Sequence, residues 1–128
     1  MVERVNIASK FGLDERAVVF QGDCREFLQR IPPQTIQLIV TSPPYNLGKE
    51  YEKRLHLADY TAQQREVIRD CVRALKPNGS ICWQVGNYVQ DGAIIPLDSL
   101  LYPVFAELGL RMRNRIVWYF VYGPHWQN

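Results

Sequence analysis

At 128 residues, with 47% hydrophobic and 22% charged side chains, the chain has the make-up of one compact soluble domain. No stretch approaches the roughly 20 apolar residues that cross a bilayer, and the N-terminal segment carries no apolar core of the kind a secretory leader needs, so a cytoplasmic protein without membrane contact is expected. A formal charge of +2 is too small to mark a nucleic-acid-binding protein by itself.

Cys24, Cys71 and Cys82 are an odd number without Cys-x-x-Cys spacing, which argues against a disulfide framework and a zinc site. They read as buried thiols. His56 and His125 have no partners at metal-ligand spacing, so no metal site is expected.

Along the chain, strands and helices alternate. Ala17 to Gln21 reads as a strand, and Asp23 with Glu26 has capping-box spacing for a helix that Pro32-Pro33 ends. The run Ile36-Gln37-Leu38-Ile39-Val40 reads as a strand buried on both faces. Thr61 with Gln64 repeats the capping spacing, and Val67, Ile68, Cys71, Val72 and Leu75 fall on one helical stripe until Pro77-Asn78-Gly79 turns the chain. A strand from Ser80 to Val85 follows. Leu97 to Leu108 reads as a third helix, shortened or bent by Pro103 and stopped by Gly109. Arg113 to Phe120 reads as a last strand, with Trp118 in the core. This order predicts an α/β fold with a doubly wound, mostly parallel sheet and no second domain.

Thr41-Ser42-Pro43-Pro44-Tyr45 stands directly behind the Ile36 to Val40 run. Two prolines neither extend a buried strand nor start a regular helix, so the chain must turn where the strand ends. At the carboxyl edge of an open α/β sheet, such a turn offers a hydroxyl, a rigid pair of carbonyls and an aromatic ring to a crevice. Those groups suit a flat ring with polar edges. Asn87 stands beyond the Ser80 to Val85 strand and belongs to the same edge. Arg111, Arg113 and Arg115 alternate with Met112, Asn114 and Ile116, which on a strand places the three guanidinium groups on one face. That face is either a solvated strand end or a stripe for phosphate oxygens.

Ser42-Pro43-Pro44-Tyr45 resembles the catalytic signature of the DNA amino-methyltransferases, which methylate the exocyclic amine of cytosine or adenine. The flanks are similar too: Gly22-Asp23-Cys24, Asn46-Leu47-Gly48-Lys49, Leu75-Lys76-Pro77-Asn78-Gly79-Ser80 and Ile116-Val117-Trp118-Tyr119. The resemblance implies a partial Rossmann-like fold that depends on S-adenosylmethionine, with DNA as partner. It implies Ser42, Pro43, Pro44 and Tyr45 as the catalytic set, and Asp23, Cys24 and Thr41 on the cofactor, Asp23 at the adenine edge. It also implies Asn46, Lys49, Arg111, Arg113 and Arg115 on DNA. Serine before Pro-Pro resembles the cytosine-N4 branch, with adenine-N6 as the alternative.

Members of this fold share a glycine-rich turn, commonly Phe-x-Gly-x-Gly, that lets the backbone approach the cofactor. No Gly-x-Gly occurs in this sequence. In the branch where Ser-Pro-Pro-Tyr comes early, that turn follows a variable target-recognition segment. Residues 1–128 therefore read as one domain, the catalytic half of a methyltransferase without the glycine-rich loop and the target-recognition region. A homo-oligomer or a complementary half is the expected partner. A reading of another class is a non-catalytic remnant that oligomerises or binds DNA weakly.

Overall fold

Asp23 begins the first helix because its backbone is extended, φ −68° and ψ 128°, while its carboxylate accepts the Arg25 N–H at 2.9 Å. The computed structural model describes residues 5–48 and 53–119. In chain order they form β1 (Ile7–Ala8), β2 (Ala17–Val18), α1 (Cys24–Arg30), β3 (Ile36–Thr41), α2 (Leu57–Ala74), β4 (Leu75–Trp83), β5 (Asn87–Gln90), β6 (Ala93–Pro96) and α3 (Leu97–Glu107). Helix α1 stops where Ile31 turns extended ahead of Pro32, the backbone region that a following proline enforces.

The fold is α/β with parallel pairing, β1 with β2 and β3 with β4, and one antiparallel hairpin of β5 with β6. The described strands form three two-stranded pieces. The expected strand from Ala17 to Gln21 is only Ala17–Val18, paired with a β1 that the sequence did not announce.

Strands β3 and β4 run in register from Leu38↔Ser80 to Thr41↔Trp83, so both end on one edge. Before that, β3 advances from Ile36 to Leu38 while β4 advances from Leu75 to Ser80. The expected turn at Pro77-Asn78-Gly79 is therefore an outward bulge within β4, pinned by Gln37 Nε2 donating to the Asn78 carbonyl at 3.0 Å. A Cβ on Gly79 would stand 2.8 Å from the Leu75 side chain and 3.0 Å from the Gln37 carbonyl, so the bulge closes tightly only on glycine.

Helix α2 begins at Leu57, ahead of the expected Thr61 cap. Thr61 lies inside it, with Oγ1 donating to the Leu57 carbonyl at 2.8 Å. Burial explains the earlier start: Tyr60, Gln64, Ile68, Cys71 and Ala74 make one buried stripe, and its first member precedes the cap spacing. At the other end Arg73 reaches carbonyls at the C-terminal end of α1, Leu28 at 2.7 Å and Ile31 at 2.9 Å, and so ties the two helices together.

The β5–β6 hairpin turns on Asp91-Gly92, both with positive φ, 51° and 76°, as a two-residue hairpin turn requires. Tyr60, Tyr88 and Leu97 then pack as a core cluster, with Tyr45, Leu55, Leu57, Val85, Ile95 and Leu100 against it. Three expectations fail here. Residues 113–119 are exposed and not in a strand, and Trp118 is 72% exposed rather than in the core; Phe120 lies outside the described residues. Of the cysteines only Cys71 is buried, and Cys24 and Cys82 are exposed. No described helix is long and apolar enough to cross a membrane.

Candidate active site

The turn after β3 hangs on the edge where β3 and β4 both end. The Thr41 carbonyl accepts the Gln84 N–H at 2.9 Å and carries the pairing one step past Trp83. Beyond it, Ser42, Pro43, Pro44 and Tyr45 line an open recess of about 230 Å³. Ser42 Oγ and the Tyr45 hydroxyl lie 2.8 Å apart and share a hydrogen bond in which either is the donor. The Tyr45 ring lies over Gly86, where a Cβ would come within 3.1 Å of it. Gly86 in turn accepts the Leu97 N–H at 3.3 Å, so the ring rests on a backbone joined to the core cluster.

Asn46 follows with φ 60°, a left-handed conformation that asparagine tolerates. It is 2% exposed, its Nδ2 donates to the Leu55 carbonyl at 2.9 Å, and its Oδ1 accepts the Leu55 N–H at 2.7 Å. This pair of bonds closes the chain between residues 46 and 55. Arg54, just inside that closure, donates to the Val89 carbonyl at 2.7 Å and lies 4.9 Å over the Tyr88 ring, fixing the segment to the hairpin.

The other residues singled out in the sequence lie on other elements. Asp23 and Cys24 head α1. Both Asp23 oxygens accept from the Arg25 guanidinium, at 2.6 to 3.2 Å. Hydrogen bonding to Arg25 lowers the Asp23 pKa to about 2, so the carboxylate stays ionised. Although Cys24 is exposed, partial desolvation of its sulfur, then the neighbouring Asp23 charge, pushes the thiol up. Arg111, Arg113 and Arg115 lie on the exposed segment past α3, and the Arg115 Nε donates to Asp98 at 2.7 Å. The strand that would align them on one face does not form over residues 111–119. Lys49 lies outside the described residues. Asn87 opens β5, next to the Gly86 that carries Tyr45.

Two residues escaped the sequence reading. Gly86 stood just past an expected strand, and that position was the available signal. Tyr60 gave none: its hydroxyl donates to the Pro44 carbonyl at 3.0 Å across 16 residues, a contact that no local pattern encodes.

A family model for N6 and N4 DNA methylases matches residues 36–125, from the start of β3 through the turn, the hairpin and the arginine segment. The chain belongs to this DNA methylase family. It is 46% identical over 121 residues to the type II methyltransferase M.BglII of Bacillus subtilis, covering 94% of this chain and 34% of that protein. Against the type II methyltransferase M.HpaI of Haemophilus parainfluenzae, identity is 33% over 116 residues, with 87% and 33% covered. The chain thus spans about a third of the length of these curated relatives.

Solved structures agree. The PvuII DNA methyltransferase, cytosine-N4-specific, superposes with a TM-score of 0.56 at 26% identity, over 70% of this chain and 33% of that one. A DNA modification methylase of Thermus thermophilus, complexed with S-adenosyl-L-methionine, gives a TM-score of 0.55 at 32% identity, over 69% and 39%. The α/β arrangement of this member of the DNA methylase family is accordingly a partial Rossmann-like methyltransferase fold.

Proposed function

We propose that residues 1–128 are the catalytic portion of a DNA methyltransferase that moves a methyl group from S-adenosylmethionine to the exocyclic N4 amine of cytosine. The carrying observation is the recess that Ser42, Pro43, Pro44 and Tyr45 line at the carboxyl end of β3. The cytosine-N4-specific PvuII enzyme among the structural neighbours supports the choice of base. The family spans both amines, and adenine-N6 is the alternative product.

The amine lone pair is delocalised into the base, so nitrogen becomes nucleophilic only when acceptors draw on its protons. Ser42 Oγ and the Pro43 carbonyl are the acceptors. When Ser42 donates its own proton to the Tyr45 oxygen at 2.8 Å, its lone pairs remain for the amine. A hydroxyl is a weaker acceptor than a carboxylate, so orientation of the amine supplies much of the rate. Tyr45, backed by Gly86, is the platform on which an extruded base stacks, which offsets part of the few kcal/mol that flipping costs.

The donor set suits S-adenosylmethionine in part: Asp23 is a carboxylate held ionised and Thr41 a hydroxyl at a strand end, acceptors that the cofactor's hydroxyls and amines need. When bound, the cofactor supplies an electrophilic methyl on a sulfonium. Cys24 lines the same helix start. The glycine-rich turn and target recognition come from outside residues 1–128, through further sequence or a complementary chain. Arg111, Arg113 and Arg115 meet DNA phosphates, and Asn46 and Lys49, which follow Tyr45 in sequence, complete the proposed DNA-binding set.

The test is methyl transfer to duplex DNA followed by digestion and mass spectrometry of the nucleosides. N4-methylcytosine is expected. N6-methyladenine would move the specificity to the other amine, and absence of any methylated nucleoside, with the missing parts of a relative supplied, would leave the non-catalytic reading.

A further inference from the structure

The turn offers three acceptors in sequence: Ser42 Oγ, which shares a bond with the Tyr45 hydroxyl, the Pro43 carbonyl, and the Pro44 carbonyl, which is engaged from the core. The Tyr60 hydroxyl donates to the Pro44 carbonyl at 3.0 Å. Tyr60 is 3% exposed, sits in the first turns of α2 with its N–H on the His56 carbonyl at 2.9 Å, and packs with Tyr88 and Leu97. It is a fixed donor on a regular element, facing an irregular turn from the core side.

The physical consequence follows from proline. Rings on residues 43 and 44 fix φ near −65° at each and remove both N–H groups, so the turn cannot brace itself with backbone donors. Its remaining freedom is ψ. A bond to the Pro44 carbonyl sets ψ of that residue, and ψ of Pro44 sets the direction in which Tyr45 leaves. Downstream, the Asn46 bonds to Leu55 hold the next residue. Tyr45, between two fixed points, is delivered over Gly86 with its hydroxyl at Ser42.

We infer that Tyr60 is a positioning residue for the methyl transfer proposed above, an inference that rests on that reading: its hydroxyl turns the Pro44 carbonyl into the core and leaves Ser42 Oγ and the Pro43 carbonyl to the amine. It touches neither base nor cofactor and acts through the turn. A tyrosine with only a packing role has no use for that bond, because phenylalanine fills the same space in the cluster.

Tyr60→Phe keeps the ring and removes the donor. In the assembly that transfers methyl groups, kcat should fall about 10-fold, as expected when one hydrogen bond that orients reacting groups is lost, while KM for DNA stays within about twofold. Because Tyr60 works through the same acceptors, Tyr60→Phe combined with Ser42→Ala should lose less than the product of the single losses. A variant with parental kcat and only a lower melting temperature overturns the assignment, and so do multiplicative losses. A parent assembly that methylates no duplex instead overturns the functional reading on which the assignment rests, so the two failures are told apart by the parent alone.

Discussion

Tyr45 carries two separable contributions, a ring and a hydroxyl. The ring lies over Gly86 and the hydroxyl bonds Ser42 at 2.8 Å. Tyr45→Phe should keep base capture but lower the rate about 3- to 10-fold, because only the partner of the Ser42 hydroxyl is lost. Tyr45→Ala should weaken capture of the flipped base, and its defect should shrink on duplexes whose target is mismatched and easily extruded. Rates on matched and mismatched duplexes check both: a Tyr45→Ala defect of the same size on each would remove the stacking role. Cys71 offers a residue-scale test of the core. Burial pushes its thiol up to about 11 from an ordinary 9.0. A raised folded-state value means that the protein holds the proton more tightly than the unfolded chain, so stability present below pH 9.0 is lost as pH climbs toward about 11. Urea unfolding at intervals across that window should show the decline in the parent and a smaller one in Cys71→Ala. The turn from Ser42 to Tyr45 was legible as a candidate site because its residues are contiguous and flanked by matching stretches, and they line one recess. Tyr60 was not, since its role depends on which carbonyl its hydroxyl meets after folding.

Elements were legible where one local rule dominates. Strand β3 is an apolar run ended by prolines, and α1 has an aspartate cap at one end and a proline pair at the other, so their bounds agree to within a residue or two, although β3 is not buried on both faces as expected: Leu38 and Val40 stand exposed. Helix α2 starts early because a buried stripe led by Tyr60 outweighs a good cap spacing at Thr61. The Arg113 to Phe120 strand was read from alternation alone, and alternation makes a strand only when a neighbouring strand takes its backbone bonds; no strand pairs with residues 113–119 among those described. The hairpin at Asp91-Gly92 was legible in principle, as that dipeptide is a strong hairpin signal. Two glycines separate steric from conformational constraint. Gly79→Ala should cost about 1–3 kcal/mol because its Cβ collides with Leu75 and the Gln37 backbone. Gly92→Ala meets nothing within 4 Å and should cost about 1 kcal/mol from its positive φ alone. Equilibrium denaturation of both ranks them, and equal costs would mean that the bulge relaxes around the new methyl.

As a molecule, this chain leaves apolar strand surface open. Leu38 is 54% and Val40 71% exposed on a parallel strand, a type of strand that is ordinarily covered on both faces. Such surface associates, so light scattering of residues 1–128 at micromolar concentration should report a species larger than a monomer; a monodisperse monomer would mean that the face is stable in water. The proposed function rests on the turn from Ser42 to Tyr45 presenting a hydroxyl to a DNA amine. Radiolabelled methyl transfer from S-adenosylmethionine to duplex DNA, parent against Ser42→Ala in the same assembly, puts that to the test. The rate of the variant should be lower by about one to three orders of magnitude with DNA affinity nearly unchanged, as befits an interaction made mainly in the transition state. Equal rates for Ser42→Ala and the parent would contradict this role and return the motif to a structural turn.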